Sequence, residues 1–512
     1  MKDKKIIVLG LLFVLLGASI PAMGTSSPHS HQPLIIATAS DWWPMFGHDQ
    51  NHTRYSTSTT PNTNNLLWTY TTGDWIVSSP AVVNGKVFIG TGESDDKVYC
   101  LNASTGVLLW TFRTYDSVLS SPAVANGKVY IGSNDKKVYC LNASSGGLIW
   151  SYTTGDWVIS SPTVVNGKVY VGSFDNKVYC LNASSGGLIW IYSTNSYVES
   201  SPAVFNGKVF VGSGDGDNRV YCLNASSGGL IWSYTTGRKI ESSPAVVNGK
   251  VYIASEDKKV YCLNASSGGL IWSYTTNSYV FSSPAVAYGK VFIGSEDYKV
   301  YCLNASTGGL LWNYSTSGKI MCSPVIANEK VYVGSDDCNV YCLNASTGGL
   351  LWSYFTGDLE RSSPAVAYGK VYIGSEDSKV YCFGVENHPP NTPTITGPAQ
   401  GNIKVQTTYN VTTTDPDGDH VYYLIDWGDG ANSSWIGDYP SGQDISKPHT
   451  WMKKGTYTIK AKAKDTSGAE SDWGTLTVTM PLDYYPPHYP ILWWLLAQFP
   501  HAFPILRYLL GY

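Results

Sequence analysis

Histidine and cysteine are the side chains that most often act as general bases, nucleophiles and metal ligands in proteins. The 512-residue chain has nine histidines, namely His29, His31, His48, His52, His388, His420, His449, His488 and His501. None of them lies between residues 53 and 387, so this long central stretch offers neither a histidine base nor a histidine ligand. We therefore predict no catalytic residue in this stretch and no enzymatic activity.

The cysteines follow a repeat. Eight of the ten occupy one position of it, namely Cys100, Cys140, Cys180, Cys222, Cys262, Cys302, Cys342 and Cys382. Equivalent positions of neighbouring units should lie beyond the roughly 7 Å Cα separation that a disulfide allows. We predict that these eight are small buried apolar residues. Cys322 and Cys338 are off the period and could form a pair within one unit.

One repeat unit contains four short β-rich runs separated by turn residues, which we label strands A, B, C and D. The A–B link is Asn-Gly in five of the eight units, beginning with Asn84-Gly85, and this dipeptide favours a type I′ hairpin. Strand B is apolar on both faces, which is typical of small sheets that stack on one another. Four strands in a period of about 40 residues predict an all-β protein with an eight-bladed propeller.

The order of the runs predicts that the propeller closes into a ring. Trp68 precedes the first strand A, and no equivalent tryptophan follows the last strand C, which contains Cys382. Residues 66–70 would therefore supply strand D of the eighth blade. Closure removes the two unpaired sheet edges that an open array would leave.

The sequence Cys-Leu-Asn-Ala-Ser-Thr-Gly-Gly-Leu-Leu-Trp at 302–312 resembles the tryptophan-docking motif of PQQ-like (pyrroloquinoline-quinone-type) β-propeller repeats. The stretch Asp-Trp-Trp-Pro-Met-Phe-Gly-His-Asp at 41–49 resembles the segment that leads into such propellers, and the resemblance covers about 41–385. It implies that one tryptophan per blade stacks between neighbouring blades: Trp68, Trp110, Trp150, Trp190, Trp232, Trp272, Trp312 and Trp352. The departure from the motif is Asn102, with its equivalents, where the family prefers Asp.

The resemblance does not extend to a quinone cofactor. Quinoprotein dehydrogenases of this family carry a vicinal cysteine pair and a calcium site, and this chain has no Cys-Cys. We expect no quinone and no resident metal. Calcium remains possible at Asp415, Asp417 and Asp419, where an Asx turn is the favoured alternative. The run 214–218, Gly-Asp-Gly-Asp-Asn, lacks the distal Glu of a calcium loop and is interpreted as a turn.

In an up-and-down blade, the D–A and B–C links lie on one face, and the A–B and C–D links lie on the other. The D–A and B–C links vary between units and are rich in aromatic and acidic residues, so we call theirs the variable face. The other, with its Asn-Gly and Asn-Ala-Ser turns, is the uniform face. Function usually resides in loops on a rigid scaffold, so we predict a binding rim on the variable face: Trp75, Trp157, Tyr197, Lys239, Tyr279, Lys319 and Arg361. The alternative is that these loops are only solvated turns.

Seven C–D links contain an Asn-Ala-Ser sequon, which makes their asparagines candidates for glycosylation. They are Asn102, Asn142, Asn182, Asn224, Asn264, Asn304 and Asn344. Glycans there would coat the uniform face and leave binding to the variable face. The alternative is that Asn takes the place of Asp in capping a tight turn.

The sequence predicts further segments on both sides of the propeller. Residues 1–24 have the basic start, apolar run and small-residue cleavage site of a secretory signal peptide, with a membrane anchor as the alternative. We assign 25–65 to an N-terminal segment, 66–385 to the propeller and 386–390 to a linker. Residues 391–481 resemble a PKD-type, immunoglobulin-like β-sandwich, on the strength of Trp-Gly-Asp-Gly at 427–430 and Gly-Thr-Tyr-Thr-Ile at 455–459.

The chain continues with a Pro- and Tyr-rich linker at 482–490 and an apolar segment at 491–512. Pro500, Pro504 and Arg507 interrupt that segment, which favours an attachment or sorting segment over a spanning helix. A similar ending occurs in exported archaeal-type repeat proteins. The formal net charge of −4, about −6 after signal cleavage, gives no electrostatic reason to bind nucleic acid.

These features predict a secreted or cell-surface binding or adhesion protein of the cell envelope. Its partner would be an extracellular protein or a carbohydrate, and the C-terminal segment would attach it to the envelope. The second hypothesis is an envelope assembly scaffold similar to outer-membrane assembly propellers. The third is a quinone- and calcium-dependent dehydrogenase.

Overall fold

The computed structural model describes residues 42–466 and 468–480. The predicted signal peptide, the 482–490 linker and the apolar C-terminal segment lie outside these residues. The described part forms β-strands, and none of it is a helix of the length and hydropathy needed to cross a membrane.

Eight four-stranded antiparallel sheets form the blades, each in the order A-B-C-D. Blades 1 to 4 consist of β3 (Ala81–Val83), β4 (Lys86–Gly90), β5 (Lys97–Asn102), β6 (Leu108–Arg113); β7 (Ala123–Ala125), β8 (Lys128–Ser133), β9 (Lys137–Asn142), β10 (Leu148–Thr153); β11 (Thr163–Val165), β12 (Lys168–Ser173), β13 (Lys177–Asn182), β14 (Leu188–Ser193); and β15 (Ala203–Phe205), β16 (Lys208–Gly212), β17 (Arg219–Asn224), β18 (Leu230–Thr235). Blades 5 to 7 consist of β19 (Ala245–Val247), β20 (Lys250–Ser255), β21 (Lys259–Asn264), β22 (Leu270–Thr275); β23 (Ala285–Ala287), β24 (Lys290–Ser295), β25 (Lys299–Asn304), β26 (Leu310–Ser315); and β27 (Val325–Ala327), β28 (Lys330–Ser335), β29 (Asn339–Asn344), β30 (Leu350–Phe355).

The eighth blade closes the ring. It contains β31 (Ala365–Ala367), β32 (Lys370–Gly374) and β33 (Lys379–Phe383), and its strand D is β2 (Leu66–Thr71) from the start of the propeller. Trp68 is the residue opposite Cys382 in this antiparallel pair. The predicted all-β, eight-bladed fold is therefore confirmed, and its closure places strands from the two ends of the propeller in one sheet.

Blade cores are built by strands B and C, which are buried on both faces. The eight periodic cysteines are fully buried among them, and all ten cysteines are free thiols. Cys322 replaces a serine that receives a backbone N–H bond in the other blades, and its Sγ lies 3.1 Å from the donor N of Gly334. Cys322 and Cys338 therefore do not pair.

A closed circle of hydrogen bonds joins the blades near the central axis. In each Ser-Ser-Pro or Cys-Ser-Pro sequence, the second residue donates its backbone N–H to the hydroxyl of the equivalent serine in the next blade. The circle runs through Ser79, Ser121, Ser161, Ser201, Ser243, Ser283, Ser323 and Ser363 and returns to Ser79, with distances of 2.9–3.0 Å.

Residues 43–58 run around the inside of the ring. Six of their backbone carbonyls accept the N–H of the middle residue of a strand A, in the pairs Trp43–Val82, Pro44–Val124, Gln50–Val204, Asn51–Val246, Thr53–Val286 and Arg54–Ile326. In blade 3 the contact is His52 Nε2 to Thr163 Oγ1 at 3.0 Å, and in blade 8 Ser58 Oγ accepts the N–H of Gly369. Residues 55–56 form β1 (Tyr55–Ser56), which pairs in parallel with β27. This segment contacts all eight blades and fills the channel at the level of strand A.

The C-terminal region contains two sheets that pack around one core. β34 (Thr394–Thr396), β35 (Thr407–Thr412) and β38 (Ile445–His449) form the first sheet, and β36 (Val421–Asp426), β37 (Ile436–Tyr439), β39 (Gly455–Asp465) and β40 (Gly474–Met480) form the second. Tyr409, Tyr423 and Trp451 are buried between them. Along β39, Ile459, Ala461 and Ala463 point inward, as the alternation of its sequence predicts.

Candidate binding face of the propeller

The backbone brings two variable positions together in every blade. In each blade, the first residue of the B–C turn donates its backbone N–H to a backbone carbonyl of the D–A link. That carbonyl belongs to the residue five positions before the proline that precedes strand A. The pairs are Gly92–Trp75, Asn134–Ser117, Phe174–Trp157, Gly214–Tyr197, Glu256–Lys239, Glu296–Tyr279, Asp336–Lys319 and Glu376–Leu359. These residues and those three before the proline, such as Glu199 and Glu241, surround the variable-face opening. We call this set the mouth.

One part of the mouth is aromatic. The rings of Phe174 and Tyr197 stack with centroids 4.7 Å apart, and the ring of Trp157 lies 5.9 Å from that of Phe174. Trp157 is 45% exposed, so this cluster presents an accessible apolar surface. Trp75, in blade 1, is half-buried, because its ring packs on Gly92, where an added Cβ would lie 2.3 Å from a ring atom.

The opposite part of the mouth is made of carboxylates and three cations. Lys239 pairs with Glu241 and, at 2.9 Å, with Glu256 in blade 5. Lys319 of blade 7 reaches Glu296 of blade 6 at 2.7 Å.

Arg361 continues this arrangement in blades 7 and 8. It lies between Asp336 and Glu376, at 3.6 and 3.3 Å. The first residue of the B–C turn is thus acidic in all four blades from 5 to 8, and two of these contacts join neighbouring blades.

Two acids beside this part are held in their protonated form near neutral pH. Burial, and then the charge of Glu241, raise the pKa of Glu199 to about 8. Burial raises the pKa of Glu360 to about 8 as well, against the opposing effect of the Thr356 and Ser375 hydroxyls. Glu360 is fully buried at a position that is Ile or Val in the other seven blades.

The repeated aspartates of the B–C turns are hydrogen-bonded within their own blade and to the preceding D–A loop. In each blade this aspartate accepts a hydrogen bond from a strand-C tyrosine hydroxyl, as Asp135 does from Tyr139 at 2.5 Å. In most blades it also accepts a backbone N–H from the preceding D–A loop, as Asp175 does from Gly155 at 2.8 Å. These aspartates stabilise the loops that carry the mouth.

The predicted rim residues therefore divide into three groups. The structure brings Trp157 and Tyr197 into the aromatic cluster and Lys239, Lys319 and Arg361 into ion pairs. Tyr279 and Trp75 make local contacts instead: the Tyr279 hydroxyl accepts a hydrogen bond of 3.0 Å from Arg238, its carbonyl accepts the N–H of Glu296, and the Trp75 ring packs on Gly92. Sequence reasoning missed the first position of the B–C turn: Phe174, Glu256, Glu296, Asp336 and Glu376. The signal was present, since this position varies between units as strongly as the predicted rim does.

Beneath the mouth, the channel segment places two titratable side chains in the interior. Burial, and then the neighbouring Arg54, lower the pKa of His52 to about 3, so its ring is neutral. Burial lowers the pKa of Arg54 to about 9, while Nη1 of Arg54 donates to the carbonyls of His52 and Pro284. The guanidinium also lies 4.5 Å from the ring centre of Phe46. These contacts fix the segment inside the ring.

The docking tryptophans lie between the blades. The indole N–H of seven of them donates to an alanine carbonyl of the next blade at 3.1–3.2 Å: Trp68, Trp110, Trp150, Trp190, Trp232, Trp272 and Trp312. Each ring covers a turn glycine; an added Cβ at Gly106 would lie 2.6 Å from the ring of Trp68. Trp352 is also buried, but its indole N–H has no partner among the described residues, because blade 8 lacks the C–D turn.

The sequon asparagines cap their turns. In each of the seven, Oδ1 accepts two backbone N–H groups, as Asn142 does from Ser144 and Ser145 at 2.9 and 3.0 Å. This contact accounts for Asn at the position without a glycan. It uses only Oδ1, while a glycan would be attached to Nδ2, so glycosylation stays a prediction.

The residues predicted as possible calcium ligands form a turn. Within 42–466 and 468–480, no three His, Cys, Asp or Glu side chains converge as metal ligands. Asp415 Oδ1 accepts the N–H groups of Asp417 and Asp419, which is the geometry of an Asx turn. Asp417 is bonded to His388.

Family models match parts of the propeller. The model described as the β-propeller of beta-alanine-activating enzyme matches 165–346, and that of outer membrane protein assembly factor BamB matches 56–154 and 94–216. No curated protein matches the chain.

Solved structures resemble the same region. BamB from Moraxella catarrhalis has 19% identity and a TM-score of 0.54, covering 63% of this chain and 99% of its own. Quinohemoprotein alcohol dehydrogenase from Comamonas testosteroni has 15% identity and a TM-score of 0.58, covering 72% and 84%. At these identities the likeness shows the fold alone.

A third solved structure concerns the C-terminal region. The PKD domain of an M14-like peptidase from Thermoplasmatales archaeon SCGC AB-540-F20 is 55% identical over all of its own length and 19% of this chain, with a TM-score of 0.19. The resemblance of this region to the PKD domain rests on the sequence identity and not on the TM-score.

The fold and the docking tryptophans define an eight-bladed, tryptophan-docked β-propeller. Its propeller resembles PQQ-like propellers, parts of it match the BamB family model, and it is followed by a C-terminal segment that resembles a PKD domain from an archaeal peptidase.

Proposed function

We propose that this protein is a secreted or cell-surface binding protein whose propeller is a non-catalytic scaffold, and that the mouth binds a basic, aromatic-containing segment of an extracellular protein. The supporting observation is the division of the mouth into an aromatic part and a carboxylate part. Aromatic rings offer rigid apolar contact area. Besides the protonated Glu199, the mouth carries five carboxyl side chains against three cations, so an approaching Lys- or Arg-rich segment is attracted.

The scaffold supports this proposal because it holds the mouth without using its side chains. The backbone pairs at the mouth, the aspartate–tyrosine bonds and the serine circle are the same whichever side chains occupy the variable positions. Carbohydrate is the alternative ligand, since sugar rings stack on aromatic faces such as that of Trp157.

Calorimetry with the full-length protein separates these ligands. The probes are a Lys- and Arg-rich peptide containing tryptophan, its Glu-substituted counterpart, and a set of neutral oligosaccharides. We expect the basic peptide to bind, with an affinity that falls as salt increases. Glu296→Gln with Glu376→Gln should weaken binding about tenfold.

The matched control is Glu329→Gln, which removes an exposed carboxylate from the uniform face and should leave binding unchanged. Trp157→Ala should weaken binding of either ligand class. Neutral oligosaccharides that bind, with no effect of the two Glu→Gln changes, would assign the mouth to carbohydrate. If the peptide binds equally well after Glu296→Gln, Glu376→Gln and Trp157→Ala, the mouth is not its binding site.

Envelope assembly is the second candidate function, favoured by the match to the BamB model and to the BamB structure. On this hypothesis the mouth would contact a component of an assembly machine. Photo-crosslinking from position 157 in the native host distinguishes the two: capture of one envelope protein in fixed ratio supports assembly, and capture of a soluble basic ligand supports the binding protein.

The location of the protein is part of the same proposal. The signal-like residues 1–24 would direct export, and residues 491–512 would keep the protein with the envelope. Deleting 491–512 should move the protein from the envelope fraction to the medium. Unchanged retention would contradict the attachment role.

A further inference from the structure

The charged residues of the propeller are divided unequally between its two faces. Strand B begins at the uniform face with a lysine in all eight blades: Lys86, Lys128, Lys168, Lys208, Lys250, Lys290, Lys330 and Lys370. The uniform-face turns add one acid, Glu329 in blade 7. All other charged residues of 66–385 belong to the variable face and comprise 22 Asp or Glu and 14 Lys or Arg. The nearly neutral propeller is thus a disc with a cationic face and an acidic face.

The cationic surface is accessible in blades 1–6. Their six lysines are half-exposed, whereas Lys330 and Lys370 are buried. Lys330 donates to Thr60, Pro61 and Asn62 of the N-terminal segment. Five of the six donate instead to an alanine carbonyl across the blade interface, as Lys168 does to Ala225 at 3.2 Å. A neutral carbonyl leaves the positive charge of the lysine uncompensated.

Exposed aliphatic side chains surround this face. Strand D begins at its outer edge with a Leu-Leu or Leu-Ile pair in each of blades 1–7, and these side chains are 41–53% exposed: Leu108, Leu109, Leu148, Ile149, Leu188, Ile189, Leu230, Ile231, Leu270, Ile271, Leu310, Leu311, Leu350 and Leu351. Repetition of an exposed apolar pair in seven blades makes an extended apolar border, and such borders mark contact surfaces.

The chain also leaves the propeller at this face. β33 ends at Phe383, at the uniform-face end of strand C, and an added Cβ at Gly384 would lie 3.0 Å from a side-chain carbon of Lys370. The segment that follows the propeller therefore starts from the uniform-face side.

We propose that the uniform face of blades 1–6 docks on the anionic surface of a lipid bilayer. Lysines attract acidic headgroups, and aliphatic side chains at the border enter the interface between headgroups and acyl chains. A soluble anionic polymer would use the lysines but not the aliphatic border. Between blades 3 and 4 a cavity of about 360 Å³ opens beside Lys168, lined also by Asn166, Asn206 and Gln50. The inference is independent of the ligand assigned to the mouth.

Co-sedimentation of the full-length protein with vesicles tests this proposal. One set contains phosphatidylcholine alone, and the other contains about 30% phosphatidylglycerol. We expect at least about tenfold tighter binding to the anionic vesicles, reduced by salt. Lys128→Gln, Lys168→Gln and Lys208→Gln together should remove most of this preference. The matched control changes Lys136, Lys137 and Lys258 of the variable face to Gln and should keep it.

A second set of variants tests the apolar border. Leu148→Asn, Leu188→Asn and Leu230→Asn should weaken binding to anionic vesicles several-fold, whereas Tyr115→Asn, at an 83% exposed site on the variable face, should not. Unchanged thermal unfolding of each variant shows that the fold is kept.

Three results would overturn the proposal. Equal binding to neutral and anionic vesicles would assign membrane contact to the nearly uncharged C-terminal segment. Self-association that the three Lys→Gln changes abolish would make a second copy of the chain the occupant. Glycans on the sequon asparagines of the native protein would cover the face.

Discussion

Replacing Trp68 with alanine should destabilise the whole propeller, because this side chain packs across the boundary where the ring closes. Its indole lies over Gly106 of blade 1 and donates to the carbonyl of Ala103 at 3.1 Å. Truncating a buried tryptophan to alanine costs about 3–5 kcal/mol. The Ala103 carbonyl still accepts the hydroxyl of Tyr372 at 3.2 Å, so it is not left without a donor. We therefore expect the free energy of unfolding to fall by about 4 kcal/mol.

Guanidinium unfolding followed by tryptophan fluorescence and circular dichroism measures this loss. Trp157→Ala is the surface control and should cost less than about 1 kcal/mol. A finer comparison uses phenylalanine. Trp68→Phe loses an indole hydrogen bond worth about 0.5–1.5 kcal/mol, whereas Trp352→Phe should lose none, because no described residue accepts the N–H of Trp352. If Trp68→Ala is no worse than Trp157→Ala, the closing strand does not stabilise the ring and the reasoning fails.

Three other predictions follow from particular residues. Glu360→Val should raise stability, and the gain should increase with pH. Burial raises the pKa of Glu360 from 4.5 to about 8, so the folded protein keeps a proton that the unfolded chain releases above pH 4.5, and the stability of the unchanged protein falls until about pH 8 by up to about 1.4 kcal/mol per pH unit. Thermal melts from pH 5 to pH 9 in which the melting temperatures of both proteins change equally with pH would contradict this. Reducing agent should leave the melting temperature unchanged, since Cys322 and Cys338 are free; a mass 2 Da below that of the fully reduced chain would show that they pair. Peptide mapping of the native protein should find Asn142 and its six equivalents unmodified if turn capping is their whole role, and a glycan on several of them would show that the sequons are used.

Much of the fold could be predicted because the sequence contains eight copies of one repeat unit. The period gave the number of blades, and the early position of Trp68 required a strand from the start of the propeller in the last blade. Both inferences depend on patterns of residue type. The C-terminal sandwich was predictable for a similar reason, since Trp427 and the alternation along β39 are visible without the structure.

The channel segment could not be predicted in this way. Residues 43–54 bind the blades through backbone carbonyls, which every residue possesses, so the sequence carries little trace of the contact. The role of the B–C aspartates was hidden for another reason. Asp135 lies in the turn and Tyr139 lies four residues later in strand C, and only the geometry shows that their side chains meet. An acidic, solvent-exposed turn has the same composition.

The departures from the repeat point to one sector of the mouth. Where seven blades place Ile or Val, blade 8 buries Glu360, whose Cβ lies 2.5 Å from the position of an added Cβ at Gly334. The next residue, Arg361, replaces neutral or acidic residues of the other blades and joins Asp336 to Glu376 across the blade boundary. A buried carboxylic acid at a position that an aliphatic residue fills better lowers stability. Seven equivalent positions show that the scaffold does not require it, so the boundary of blades 7 and 8 is where ligand-specific chemistry should be sought first.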